Sequence, residues 1–193
     1  MSACEGNELY HEKQRLAHCA IHALNNLFQQ DWISYSDFTA IAEDLHSADK
    51  STGISGTFTF NPYRSVLPYI GNFDIQCIVH ALQTKGCRIS NHIALSASLS
   101  LESLYVYDPN TIGYVINEEV RSLFGLRKSN HWIAVLRKNG SFVNLDAELT
   151  SPEIIKSEEA LVKIFKIGME RRKWQVFVVS REVSVDSVAV GDA

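Results

Sequence analysis

A cysteine, a histidine held by a carboxylate and an amide donor together make the equipment of nucleophilic acyl transfer. This chain carries a candidate for each part: Cys19, His131, Asp146 and Gln14. The carboxylate fixes the imidazole tautomer and stabilises its protonated form. The thiol becomes a nucleophile once its proton has passed to the imidazole. An amide aimed at the carbonyl oxygen steadies the oxyanion of the tetrahedral intermediate.

A hairpin signal brings the histidine and the acid together. Trp132 to Leu136 and Phe142 to Leu145 flank Asn139-Gly140, a dipeptide that favours the positive backbone angles of a tight turn. With that two-residue loop Lys138 pairs with Ser141, and Ile133 falls opposite Asp146. Opposed residues share a face, as do those two positions along, so His131 and Asp146 form a diagonal pair on one surface. Centring the turn on Lys138-Asn139 instead sets them directly opposite with the same facing. Trp132, on the other face, is free to enter the core.

The cysteine belongs to a different element. Leu16, Cys19, Ala20, Ala23, Leu24, Leu27 and Phe28 recur at three- and four-residue spacing, which predicts a helix with Cys19 in its opening turn. There the partial positive charge of the helix end and a nearby imidazolium both favour thiolate over thiol. Gln14, five residues earlier, lies just ahead of the helix. Each residue alone has a plainer use, since a cysteine on an apolar helix face packs as a small hydrophobe more often than it reacts. Their order, Gln, Cys, His and then Asp, is that of papain-like enzymes.

His18 and His22 flank Cys19 with the four-residue spacing that puts two side chains on one helix face. Together with Cys77 and His80 they suggest a metal site, but the usual zinc spacings are absent, so neither metal nor cofactor is expected. His22 as the base would leave the strand His-Asp pair unexplained; it is read as a packing or hydrogen-bonding residue. His11, His46 and His92 are assigned surface or structural uses, and Glu170-Arg171-Arg172-Lys173 a solvated turn.

Around these residues the chain reads as one α+β domain. A second helix follows the possible caps Ser34 or Ser36, through Phe38, Ile41, Ala42 and Leu45, ending near His46. Glycine and proline break the period from Ser47 to Phe73, a length that suits a lid or binding arm and equally an ordinary surface loop. Ile75, Ile78, Val79 and Leu82 predict a third helix ended by Gly86. Leu101 to Tyr107 reads as a strand before a turn at Asp108-Pro109-Asn110. Asn117 is placed to cap a short helix through Val120, Leu123 and Phe124. Leu161, Ile164 and Phe165 suggest a last helix, and Trp174 to Val179 a last strand.

Composition bounds the function. The 193 residues are 46% hydrophobic and 21% charged, enough for one full core. Lys and Arg number 18 against 22 Asp and Glu, a formal net charge of −4, without the basic excess that nucleic-acid binding needs. No apolar run approaches the roughly 20 residues of a membrane-spanning helix. The N-terminus has neither a basic cluster nor an apolar h-region, which implies an intracellular protein, cytoplasmic or nuclear. Cys4, Cys19, Cys77 and Cys87 lack CxxC spacing and are expected as free thiols.

At Tyr10-His11-Glu12-Lys13-Gln14, followed by Cys19-Ala20-Ile21-His22-Ala23-Leu24-Asn25-Asn26-Leu27, the sequence resembles the Josephin family of cysteine-protease deubiquitinases. The resemblance continues through Gly71-Asn72-Phe73-Asp74-Ile75-Gln76, His131-Trp132 and Asn144-Leu145-Asp146. It implies a papain-like cysteine protease fold with an N-terminal catalytic helix, a helical arm and an antiparallel sheet. It implies Cys19 as nucleophile, His131 as general base and acid, Asp146 as the residue orienting it, and Gln14 as oxyanion donor. Ubiquitin or ubiquitinated proteins are the implied partners, and no cofactor is. Larger members carry Asn at the position of Asp146 while short Josephin-only forms have Asp, so this chain looks like a short form. Some members place Trp where Lys85 stands, which removes the ground for a second ubiquitin surface there. The catalytic domain is expected over residues 9–181, between flexible ends at 1–8 and 182–193. Two rival readings are a ubiquitin-binding module without activity and an acyltransferase using the same Cys-His-Asp set.

Overall fold

The first apolar stripe folds as helix α1, Cys19–Phe28, with Cys19 as its first residue. The structure is a computed structural model that describes residues 9–16, 18–52, 60–65, 73–94, 99–121 and 128–183. Leu16, expected within the stripe, lies before the helix with φ 49° and is 71% exposed. The next helix, α2 (Tyr35–Ser51), starts at Ser34, whose hydroxyl and Asp37 carboxylate form a reciprocal capping box. It runs five residues beyond His46, because nothing between Ser47 and Ser51 breaks a helix. Helix α3, Ile75–Gln83, is capped by Asp74, and the chain reverses after it at Gly86, φ 62°. Of the arm expected over Ser47 to Phe73, residues 53–59 and 66–72 lie outside the described residues.

The strands are β1 (Cys87–Ile93), β2 (Thr111–Arg121), β3 (Lys128–Lys138), β4 (Ser141–Asn144), β5 (Glu153–Ile155) and β6 (Gln175–Arg181). Helix α4, Glu158–Arg172, separates the last two and is capped by Ser157. The strands form one antiparallel sheet in the order β1-β6-β2-β3-β4-β5. This is the α+β, papain-like arrangement expected, with the cysteine on the N-terminal helix.

Alternation along β3 serves two cores. Trp132, Ala134 and Leu136 face α1, α2 and α3, whereas Ile133 and Val135 face α4. Trp132 is buried as expected, and its indole N–H donates to the Phe73 carbonyl at 3.2 Å. The hairpin has the expected register, Lys138 opposite Ser141, with Asn139 and Gly140 both at positive φ.

Two expected elements are absent. Leu101 to Tyr107 is a run of turns, because Ser100 and Ser103 cross-bond each other's backbone N–H and pull the segment round. Asn117 caps no helix: it sits inside β2, whose Tyr114 and Ile116 point to one core and Val115 to the other. Pairing with both β6 and β3 overrides the helical look of its polar end. Residues 122–127, which include Leu123 and Phe124, lie outside the described residues, as does the tail from 184. Strands β1 and β5 had no expectation. The polar Arg88, Ser90, Asn91 and His92 hide the strand pattern of the first, which is also interrupted by a shift of register between Ile89 and Asn91.

Candidate active site

The N-terminus of α1 meets β3 where His131 leaves the sheet core. Cys19 is only 3% exposed, and its thiol lies 3.5 Å from the carbonyl oxygen of Asn130, the residue before His131. The His131 imidazole spends Nε2 on Asp146, with Oδ1 at 2.9 Å. Nδ1 faces Cys19, whose thiol is within hydrogen-bonding reach of the ring, with the exposed Glu148 Oε1 3.9 Å away. The hairpin therefore puts His131 and Asp146 on one face, as its register requires. β4 ends at Asn144, but the Leu145 N–H still donates to the Ala134 carbonyl at 2.9 Å and carries the alignment on to Asp146.

Asp146 is held from several sides. Its Oδ1 also accepts the Glu148 N–H at 3.0 Å, its own N–H donates to Asn144 Oδ1 at 3.1 Å, and its carbonyl lies 3.0 Å from His11 Nε2. Burial works against its charge, but the His131 hydrogen bond, the Glu148 N–H and the positive charges of His131 and Arg172 prevail, so its pKa falls below the usual carboxylate value. At His131 burial disfavours the imidazolium. The hydrogen bonds with Asp146 and Cys19, and their charges, outweigh it and push the pKa up to about 10.

These shifts set a stability window. His131, with a raised folded pKa, contributes fully below 6.5 and loses its contribution as pH rises through about 10. Asp146, with a lowered pKa, contributes fully above 3.8 and loses it in acid. The gap in Tm between wild type and Asp146→Ala should therefore be widest between pH 3.8 and 6.5 and narrow towards pH 10. Thermal melts of both proteins across that range check it; a gap that widens with alkali would contradict the pairing.

Gln14 approaches on the segment before α1. Its backbone N–H donates to the Ala147 carbonyl at 2.8 Å, which ties this segment to the residue after Asp146. Its side-chain oxygen is buried without a hydrogen-bond partner. The segment is fixed further by His22, whose Nε2 accepts the Arg15 N–H at 3.2 Å while Nδ1 lies 2.6 Å from Glu12 Oε2. An N–H must meet a lone pair, so Nδ1 carries the proton and donates to Glu12. His22 is thus the expected hydrogen-bonding residue, with both nitrogens already engaged. Among the described residues no three His, Cys, Asp or Glu side chains converge as a metal site.

Sequence reasoning from spacing missed a buried polar lattice behind this segment. Asn26 Oδ1 accepts the Glu12 N–H at 2.6 Å, and its Nδ2 donates to the Glu12 and Leu145 carbonyls. Asn25 donates to Glu12 and to the Ile33 carbonyl and accepts the Trp32 and Ile33 N–H groups. The available signal was two adjacent asparagines within an otherwise apolar helix, where their propensity is poor. Asn26 joins the cysteine's helix to the chain just before the acid, and Asn25 joins it to the chain leading into α2.

The sequence profile of the Josephin family matches residues 14–180, a span that begins at Gln14 and includes Cys19, His131 and Asp146. The chain belongs to the Josephin family. Among Josephin relatives, a Josephin-like protein of Arabidopsis thaliana is 33% identical over 157 residues, 79% of this chain and 42% of the relative. Human Josephin-2 is 30% identical over 180 residues, 91% of this chain and 88% of the relative. Human ataxin-3 is 26% identical over 182 residues, 91% of this chain and 46% of its own length. The chain therefore spans less than half of the Arabidopsis relative and most of Josephin-2. Among the described residues no helix is long and apolar enough to cross a membrane.

Proposed function

We propose that this protein is a thiol-dependent hydrolase that cuts isopeptide or related acyl bonds at the C-terminal glycine of ubiquitin. The observation that carries the reading is the alignment of Cys19, His131 and Asp146, with one imidazole nitrogen on the acid and the other left to the thiol. Membership of the Josephin family supports ubiquitin as the substrate body.

With His131 protonated, as its raised pKa requires, Nδ1 already holds the proton shared with Cys19, and the sulfur attacks the glycine carbonyl carbon. The tetrahedral oxyanion receives the Gln14 amide. As the C–N bond breaks, His131 returns the proton to the departing amine and a thioester remains on Cys19. Water, deprotonated by His131, then attacks the thioester, releasing the ubiquitin carboxylate and restoring the thiol. Asp146 keeps the ring oriented and steadies its charge throughout.

Turnover of a fluorogenic ubiquitin C-terminal amide by the purified chain tests this reading. Release of free ubiquitin and fluorophore is the expected result. A protein that binds ubiquitin without turnover would be a binding module, and transfer of ubiquitin to a limiting amine acceptor in preference to water would make it an acyltransferase. In the same assay Gln14→Ala should lower kcat by about 10² to 10³, the usual effect of deleting one oxyanion donor, with a smaller change in KM. An unchanged kcat would return Gln14 to a purely structural place.

A further inference from the structure

Two further carboxylates neighbour His131 besides Asp146: the exposed Glu148, whose Oε1 lies 3.9 Å from Nδ1, and a buried one across the sheet. The residue opposite His131 in β2 is Glu118, and opposed residues of an antiparallel pair share a face. Glu118 is buried, yet its carboxylate is fully engaged: Oε1 accepts Arg172 Nε–H at 2.9 Å, and Oε2 accepts Arg172 Nη2 at 2.8 Å and Trp174 Nε1–H at 2.9 Å. Arg172 comes from the last turn of α4 and Trp174 immediately precedes β6. The guanidinium also lies over the Trp174 ring, 5.5 Å from its centroid. The ring in turn packs on Gly168, where a Cβ would come within 2.1 Å of it. Arg172, expected in a solvated turn, is therefore clamped at the edge of the site. Trp174, Glu118, His131 and Asp146 follow one another across adjacent strands on the α4 side of the sheet.

Within the sheet this row sets His131 between two buried carboxylates, Asp146 and Glu118. Asp146 bonds it, while both oxygens of Glu118 are occupied by Arg172 and Trp174. Without Arg172, Glu118 would be a buried anion one strand away from the His131 ring. Such an anion is costly to leave unpaired, and the residue directly opposite it in β3 is His131. Resting on the reading of Cys19, His131 and Asp146 given above, we propose that Arg172, clamped by Glu118 and Trp174, is a positioning residue. By occupying Glu118 it leaves the imidazole to Asp146 and keeps Nδ1 turned to Cys19. Arg172 also contributes to holding Asp146 in its charged form.

The test compares Arg172→Met, Glu118→Gln and the double variant as full chains. Two readouts are taken below the melting transition of each: kcat and KM on the fluorogenic ubiquitin amide, per titrated active thiol, and the low-field imidazole N–H proton of His131 by NMR. Arg172→Met should lower kcat by about tenfold with KM within about twofold, and should shift or lose that proton. Adding Glu118→Gln should bring kcat back to within about threefold of wild type and restore the proton, because the unpaired buried carboxylate opposite His131 is gone. If Arg172→Met does not fold, Arg172→Lys, which keeps the charge and loses the fork, carries the comparison with the same rescue expected. Unchanged kcat and an unmoved proton in the arginine variant would overturn the proposal, as would a folded double variant no better than the single one. Absence of wild-type turnover would instead overturn the hydrolase reading. The proton resonance would then still decide the positioning role.

Discussion

Cys19→Ala is expected to abolish turnover of ubiquitin conjugates while leaving the fold intact. The sulfur is the only proposed nucleophile, so its loss removes the covalent path altogether. Alanine is the best helix former, and Cys19 is the first residue of α1. The side chain it replaces is small, and the bond from the thiol to the Asn130 carbonyl is long at 3.5 Å, so the cost in stability should be about 1 kcal/mol. Circular dichroism spectra should overlay the wild type and Tm should fall by only about 2 to 4 °C, while kcat falls to background. The other described thiols give the contrast. Cys77 and Cys87 are buried in the core, and burial pushes both upward, Cys77 to about 12. Such groups are poor nucleophiles, and serine at either position should leave kcat within about threefold of wild type once folding is matched. Near-normal turnover in purified Cys19→Ala would end the assignment.

The second large effect is expected at Asp146. Its carboxylate accepts the His131 Nε2–H at 2.9 Å, and that bond orients the ring. Asp146→Ala should therefore lower kcat by about 10² to 10⁴, with little change in KM, the range seen when the orienting acid of a triad is lost. Asp146→Asn discriminates finely. The amide oxygen can accept the same hydrogen bond but contributes no negative charge to the imidazolium. Asn should retain clearly more activity than Ala and less than Asp. Steady-state kinetics on the three proteins check the order; equal activity of the Asn and Ala variants, both folded, would show that this side chain does not orient His131.

The site was more legible in the sequence than the sheet that carries it. Asn139-Gly140 fixed the hairpin register, and the period-2 rule then placed His131 and Asp146 on one face, a local inference spanning few residues. Cys19 followed from a 3.6-residue stripe. Its stripe misled only at Leu16, because a left-handed residue between Gln14 and Cys19 cannot be read from apolar spacing. What stayed hidden depended on distant pairing. The strand character of Asn117 and Glu118 comes from β6 and β3 on either side, and the use of Arg172 comes from the return of α4 beneath β2. In sequence both stretches show polar and charged residues of the kind that face solvent. Likewise the turns of Leu101 to Tyr107 depend on the serine pair, whose hydroxyls outweigh the strand propensity of the tyrosines.

The most direct measurement treats the folded protein with ubiquitin bearing a thiol-reactive group in place of its C-terminal carboxylate, then locates the adduct by peptide mass spectrometry. Binding of the ubiquitin body should deliver the reactive group to one thiol. The expected result is a single ubiquitin adduct on Cys19, lost in Cys19→Ala and slowed in Asp146→Ala. An adduct on Cys4, Cys77 or Cys87 of the folded chain, or none at all, would contradict the account.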